Sequence, residues 1–461
     1  MHALSRFGFA CLTALLVLAT SVSASPVQAR TAYLDPSFGR NGKVTTGLDL
    51  ERQWSQAFGE SAPHGEIVVA AGKVVVRYLA DGRLDPSFGS DGIVHIGDPE
   101  GLGFSISDLA VDAAGRVLVF GTAVDHTNQS SAYFAYPAGT LSTSYAMVLR
   151  YAQDGRLDPS FGEGDGIVRT TFGLPQDQTY KVTAATAASG ALDSSGRIVV
   201  IGGTTESVTP CMGHAAFGRH DRLVARLTPE GRFDPTFGGG DGIIDLGGFF
   251  LTVDGMSPTE DGETLLFGTP DPCRESVVFL RIGAGGTPDP AQQGSETRFS
   301  IAQREMRGIG QDRHRRLLVL SSPVFFGPRS SYDGSLQRLA NGKPDRSFGK
   351  KGKTTFKIPG GASRVISAEL DPRGRILVAG SLVASKPRPK RTLFTLLRFN
   401  AAGKRDWKLG PHGRLATGFR RLADARVDDL VIDEAGRGVL VGTMRWSAGR
   451  GLVLARFVLG S

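Results

Sequence analysis

Short apolar runs of four to six residues, rich in Val, Ile, Leu and Phe, recur along this chain between Gly, Asp and Pro. Val117 to Gly121 and Ile93-Val94-His95-Ile96 are of this kind. β-Branched residues bounded by turn formers, with no helical periodicity, predict strands throughout. The N-terminus is the exception. There Arg6 precedes an apolar stretch from Phe7 to Val22, followed by small residues, the order of a secretory signal. Cleavage fits after Ala24 or after Ala29, and a membrane anchor would need about 20 apolar residues. The expected division is a cleavable signal over residues 1–29 and a single domain over 30–461, with no transmembrane segment in the mature chain.

After residue 30 the chain repeats itself. Leu34-Asp35-Pro36-Ser37-Phe38-Gly39 returns at Asp85, Asp158, Asp234 and Asp345, with degenerate copies at Asp289 and Asp406. A second motif, Asp112-Ala-Ala-Gly-Arg-Val-Leu-Val-Phe-Gly121, recurs from Asp193, Asp371 and Asp433 and more loosely near His64, Asp261 and Asp312. A third places an arginine near the end of a strand: Arg77, Arg150, Arg226, Arg281, Arg338, Arg398 and Arg456. Each of the first six stands eight residues before the next motif aspartate, except Arg338, which stands seven before Asp345. Each unit therefore offers four strands, A to D, with strand C carrying the arginine and D following the Phe-Gly turn. Seven units of about 62 residues predict an all-β, seven-bladed propeller. The mature chain begins with a D strand, Lys43 to Thr46, and stops just after a C strand, Leu452 to Phe457. Pairing these two would close the ring and remove both edges.

In these residues the chain resembles the bacterial delta-60 repeat proteins, from Leu34 to the C-terminus, with blades four and seven degenerate at the Asp-Pro turn. The resemblance implies the propeller fold and no particular activity. The repeated residues themselves read as structural. Pro fixes φ, Asp bonds backbone two residues on, and Gly supplies positive φ. Phe38, Phe88, Phe161, Phe237 and Phe348 are expected to plug gaps between blades. The arginines are expected to pair with the motif aspartates, Arg456 reaching Asp35 across the closure.

Function in a repeat protein sits where units differ. The A–B and C–D links are short, whereas Thr122 to Tyr145, Thr204 to Asp221, Ser322 to Gly334 and Ser381 to Thr392 are long B–C insertions, so one face is elaborated. Cys211 and Cys273, left after signal removal, fall in B–C loops of adjacent blades and favour a disulfide. Neither their spacing nor that of the nearby histidines matches a zinc site. The Asp-Gly pairs lack the alternating acidic ligands of a calcium loop. No cofactor or metal is expected.

Charge divides the chain sharply. Residues 30–340 hold 27 Lys and Arg against 36 Asp and Glu, whereas residues 341–461 hold 25 against 9. Lys386, Arg388, Lys390 and Arg391 fall in one loop, Arg420 and Arg421 in the next, and Arg445 and Arg450 in the last, beside Trp446. A cluster this dense attracts phosphate or carboxylate arrays. Export points to anionic envelope lipid, acidic polysaccharide or another envelope protein as partner and away from nucleic acid. The sequence has no Gly-x-Ser-x-Gly elbow, no His-Glu-x-x-His and no phosphate-binding Gly-rich loop. The leading expectation is a non-catalytic binding or scaffold module in the periplasm or outside the cell. The alternative is an enzyme acting on a polysaccharide or small molecule at the channel mouth, where Arg307, Arg364, Arg426, Asp428 and Asp429 would converge.

Overall fold

The structure, a computed structural model, describes residues 33–48, 50, 56–125, 144–172, 185–208, 216–246, 252–259, 261–269, 278–289, 304–323, 333–340, 343–384, 391–419, 424–446 and 449–460. Residues 1–32, Cys211 and Cys273 lie outside them.

Seven antiparallel sheets follow one another along the chain. Blade 1 comprises Ala57–Ser61, Ile67–Ala71, Val74–Tyr78 and Ile93–His95; blade 2 comprises Gly103–Val111, Val117–Val124, Ser144–Tyr151 and Ile167–Thr170. Blade 3 runs through Ala185–Leu192, Ile198–Val208, Ala216–Leu227 and Ile243–Asp245, and blade 4 through Thr252–Pro258, Thr264–Thr269 and Val278–Ile282. Blade 5 is built on Arg304–Gln311, Leu317–Pro323, Gly334–Ala340 and Lys353–Phe356. Blade 6 uses Gly361–Leu370, Ile376–Ala384, Arg391–Phe399 and Leu415–Gly418. Blade 7 takes Asp424–Ile432, Gly438–Trp446 and Gly449–Phe457 from the C-terminus and Lys43–Leu48 from the N-terminus.

The first strands of successive blades touch in order, and that of blade 7 touches that of blade 1, so the ring is closed about an axis lined by first strands. Closure is a six-residue ladder from Lys43 opposite Ala455 to Leu48 opposite Arg450. The second and third strands are buried on both faces; every residue of Ile67–Ala71 is fully enclosed. That is why these strands read as continuous apolar runs instead of alternating ones. The core clusters lie mostly between blades: Phe88 packs with Val68 and Val75 of blade 1 and with Val119 and Leu149 of blade 2. Phe38, Phe161, Phe237 and Phe348 stand at the corresponding seams and are 0–1% exposed.

Two expectations need correction. The B–C insertions are not all loop: in blade 3 the strands continue outward as a hairpin to Val208 opposite Ala216, past an irregularity between Gly202 and Thr204. In blade 2 the ladder reaches Val124 opposite Ser144. The degenerate Asp-Pro turn at Asp406 belongs to blade 6, not blade 7, because the closure gives blade 7 the intact turn at Asp35. No helix among the described residues is long and apolar enough to cross a membrane.

Candidate functional site

The repeated arginine, aspartate, hydroxyl and phenylalanine form one clasp. In blade 2, Arg150 donates from Nε to Asp158 (2.8 Å) and from Nη2 to the Ser160 hydroxyl (2.9 Å), and its guanidinium lies 4.4 Å from the centre of the Phe161 ring. Its Nη1 reaches the Pro229 carbonyl of blade 3. Arg226 does the same with Asp234, Thr236, Phe237 and the Ala284 carbonyl. Arg338 repeats it with Asp345, Ser347, Phe348 and the Ala401 carbonyl. Arg77 pairs with Asp85 at 2.7 Å over Phe88. At the seam Arg456 meets Asp35 at 2.9 Å, stacks on Phe38 and donates to the Ala80 carbonyl of blade 1.

The Phe-Gly turn then docks on the next blade: the Gly89 amide donates to the Asp154 carbonyl and that of Gly162 to Glu230. Gly155 has φ +81°, and a Cβ there would fall 2.5 Å from the Gly89 nitrogen, so the docking needs glycine. Burial alone would raise Asp35; hydrogen bonds from Ser37 and the charges of Arg456 and Arg437 outweigh it and hold the carboxyl low. Blade 4 departs from the pattern. There Arg281 Nη1 lies 3.5 Å from Glu263, and its Nε has no hydrogen-bond partner among the described residues.

The first strands carry the chemistry facing the axis. A bulge falls between Ile106 and Asp108, between Val365 and Ser367 and between Val427 and Asp429. Bulges re-aim side chains. Asp108 accepts from the Leu109 and Gly190 amides (2.9 and 3.1 Å) and the Ser189 hydroxyl (2.6 Å). Asp429 accepts from the Leu430 and Gly59 amides (2.8 and 3.1 Å) and the Ser367 hydroxyl (3.0 Å). Both carboxylates thus tie one inner strand to the next.

One layer further along, at the same register in blades 1 and 6, stand Glu60 opposite Val68 and Glu369 opposite Leu377. Burial, then the charges of Asp429 and Asp108, push Glu60 up to about 8. Burial, then Asp429 and Glu60, raise Glu369 well above the carboxylate range. Burial also lifts Asp108 to about 6 against its hydrogen bonds. The mutual influence of these groups places carboxylates from blades 1, 2, 6 and 7 around one axial space. Toward the elaborated face stand Arg364, exposed, and Arg426, which bonds Asp428 at 2.6 Å. Asp428 is buried, bonded by Thr443 at 2.7 Å, and raised by burial to about 6.

Of the five residues expected at the channel mouth, Arg426 and Asp428 form an ion pair, and Asp429 is engaged between blades 6 and 1. Arg364 occupies the register of Arg426 in the neighbouring blade, opposite Ser381 as Arg426 is opposite Thr443. Arg307 lies on the first strand of blade 5, its side chain outside the described residues. Sequence reasoning passed over Glu60, Asp108 and Glu369. Their signal was a carboxylate within an otherwise small or apolar first strand. Among the described residues no three His, Cys, Asp or Glu side chains are grouped to hold a metal ion.

Of the basic sector, Lys386, Arg388, Lys390, Arg420 and Arg421 lie outside the described residues. Arg391 begins a strand, with its side chain outside them. Arg445, exposed, and Arg450, half-buried, face each other across the last hairpin.

A family model described as "Domain of unknown function (DUF5122) beta-propeller" matches residues 65–88, from the second strand of blade 1 through its Asp-Pro-Ser-Phe turn. The chain is a repeat β-propeller. No curated protein matches it in sequence. Among solved structures, it is similar to a protein of unknown function from Dyadobacter fermentans, at 11% identity and TM-score 0.38 over 91% of this propeller and 100% of that chain. It is also similar to an ulvan lyase, at 9% identity and TM-score 0.47 over 90% and 96% of the two chains. A Trypanosoma rangeli sialidase aligns at 7% identity and TM-score 0.36, over 90% of the propeller and 60% of the sialidase.

Proposed function

We propose that this propeller is an exported, non-catalytic binding or scaffold module of the delta-60 repeat type, with an anion-binding sector in blades 6 and 7. The supporting observation is the charge division: 25 basic against 9 acidic residues from 341 onward, against a net acidic remainder. In a closed ring that division becomes a basic sector beside an acidic one. The binding residues in this reading are Lys386, Arg388, Lys390, Arg391, Arg420, Arg421, Arg445 and Arg450. The ligand is anionic envelope lipid or acidic polysaccharide. The signal over residues 1–29 and a Cys211–Cys273 disulfide belong to the same reading. The test is binding of the mature protein to anionic vesicles and acidic polysaccharide across a salt series, beside a variant with the first six of those residues neutralised. Binding that weakens with salt and is lost in the variant supports the sector; equal binding in both proteins removes it.

A second reading is favoured by the axial carboxylates, since perturbed carboxyls cluster where acid–base chemistry is done. In it, Glu60, pushed up to about 8, and Glu369, likewise raised by burial, act as general acids on a saccharide or small molecule entering past Arg364 and Arg426. Glu60→Gln and Glu369→Gln would abolish turnover of an acidic polysaccharide without unfolding the ring. Retained turnover in both ends this reading.

A further inference from the structure

Blade 6 departs from the repeat at its C–D connection. Where blades 1 and 2 read Leu84-Asp85-Pro86-Ser87-Phe88-Gly89 and Leu157-Asp158-Pro159-Ser160-Phe161-Gly162, and blade 5 changes only the first and third positions to Pro344 and Arg346, this one reads Arg405-Asp406-Trp407-Lys408-Leu409-Gly410. The backbone keeps the turn. Arg405 bridges Phe399 as Leu157 bridges Tyr151, and the Asp406 amide donates to the Arg398 carbonyl. The structural duties of the clasp are also met. Leu409 is 3% exposed in the place of the phenylalanine. Arg398 donates from both Nε and Nη2 to Asp406 (2.9 and 2.5 Å), replacing the bond its counterparts make to the missing serine. Folding the turn therefore does not call for Arg405, Trp407 or Lys408.

Those three residues build something else. Trp407 is 64% exposed, well above Leu157 and Phe233 on the same face at 37% and 36%. The Arg405 guanidinium lies 4.3 Å from the centre of its ring. Arg405 is itself anchored, from Nη1 to the Lys357 carbonyl of the neighbouring blade (2.7 Å) and from Nη2 to the Gly413 carbonyl (3.3 Å). Gly413 has φ +65°, and a Cβ there would come 2.8 Å from a Trp407 ring carbon, so the ring lies against bare backbone. The indole is thus a fixed platform, not a loose side chain. Around it Lys404, Lys408 and His412 are exposed. The one carboxylate between residues 400 and 414, Asp406, is taken by Arg398.

We propose that Trp407, with Lys404 and Lys408, is a subsite for an acidic saccharide, the apolar face of one sugar ring lying on the indole and its carboxylate or sulfate drawn to the lysines. Aromatic rings join an apolar face to a polar edge, which suits a sugar. Lysine supplies a point charge on a flexible stem. Single-stranded nucleic acid fits less well, because it stacks successive bases on successive rings, and this connection carries one. The subsite rests on the reading of blades 6 and 7 as anion-binding. It stands at the opposite end of the blade from the loop of Lys386, so the two can fail separately.

The test uses the full mature chain, Trp407→Ala, and a variant in which the turn is returned to the repeat by Arg405→Leu, Trp407→Pro and Lys408→Ser. Affinity is measured for an oligogalacturonate, a sulfated dextran, neutral dextran and a single-stranded DNA oligomer, with the melting temperature of each protein alongside. Trp407→Ala should weaken binding of the acidic saccharide about tenfold. The restored turn should do so at least as strongly, with its melting temperature unchanged or raised. Neutral dextran should bind none of the proteins tightly. Unchanged saccharide affinity in both variants overturns the subsite, as does DNA binding that is tighter and lost with Trp407. If neutralising Lys386, Arg388, Lys390, Arg391, Arg420 and Arg421 abolishes binding while Trp407→Ala does nothing, the subsite falls and the sector stands. If the reverse is found, the sector falls and Trp407 carries the binding.

Discussion

Arg456 and Asp35 are 421 positions apart in sequence and 2.9 Å apart in the ring, both nearly enclosed. Removing Arg456 leaves Asp35 with Arg437 at 2.9 Å, whereas removing Asp35 leaves the enclosed Arg456 with Asp433 3.8 Å away as its nearest carboxylate. Asp35→Ala should therefore destabilise by about 3–5 kcal/mol and Arg456→Ala by less, with the double variant well under the sum because the two share one interaction. Urea titrations of the four proteins check this, and strictly additive losses would mean that the pair does not act as a unit. Phe161, also enclosed, gives the apolar counterpart: Phe161→Ala should cost about 3–5 kcal/mol and loosen blade 2 from blade 3. These contacts were legible beforehand, since the eight-residue interval from arginine to aspartate repeats. Arg281 shows where such legibility stops. Its interval to Asp289 is the regular one, yet its Nη1 lies near Glu263, just before the second strand, a contact that no spacing announces.

At the scale of strands, the second and third members of each blade were readable because burial on both faces leaves only apolar side chains. The first strands were readable as strands, but not the direction of each side chain. Their polar residues face the axis, and a bulge shifts the alternation midway, so Asp108 and Asp429 end on the face that a plain period of two denies them. The hairpin to Val208 in blade 3 was missed for a related reason: Thr204, Thr205, Glu206 and Ser207 look like loop but pair with Arg219, Phe217 and their neighbours. The outer strand Lys43–Leu48 is the element on which the seam depends. Deleting residues 33–48 should leave Gly449–Phe457 as an open edge. Size-exclusion chromatography should then show dimers or larger species and thermal scans a lower melting temperature; a stable monomer would mean the seam needs no outer strand.

Across the whole ring two sets of carboxyls pull in opposite directions with pH. Asp345 sits at about 2, where bonds from Ser347 and the charge of Arg338 outweigh its burial, and Asp85, Asp158 and Asp234 are likewise held low. Their stabilisation is complete above the ordinary aspartate value of about 4 and is lost as pH falls through the lowered ones. Glu60 and Glu369 are raised, so the folded ring holds protons that the unfolded chain has released above about 4.3. Stability should therefore fall as pH rises from about 5 toward 8, the value near which Glu60 itself titrates. Glu60→Gln should flatten that slope, gaining on the order of 1 kcal/mol at pH 8, and leave the acid limb untouched. Melting temperatures from pH 3 to 9 on both proteins decide it, and a wild-type curve that climbs from pH 5 to 8 would contradict the axial cluster.

The seam also sets an order of events. Lys43 waits for Ala455, so during synthesis the Lys43–Leu48 strand has no partner until Ala455 is made. Every earlier blade can stack on its neighbour as it emerges, but the row remains unsealed at both ends. Joining ends about 400 residues apart in a loose chain would cost roughly 5 kcal/mol of entropy. Most of that loss is already incurred when the intervening blades stack, because their curvature carries the two ends toward each other. Ring closure is thus a single late step, and a chain stopped short of its last strand is a permanently open one.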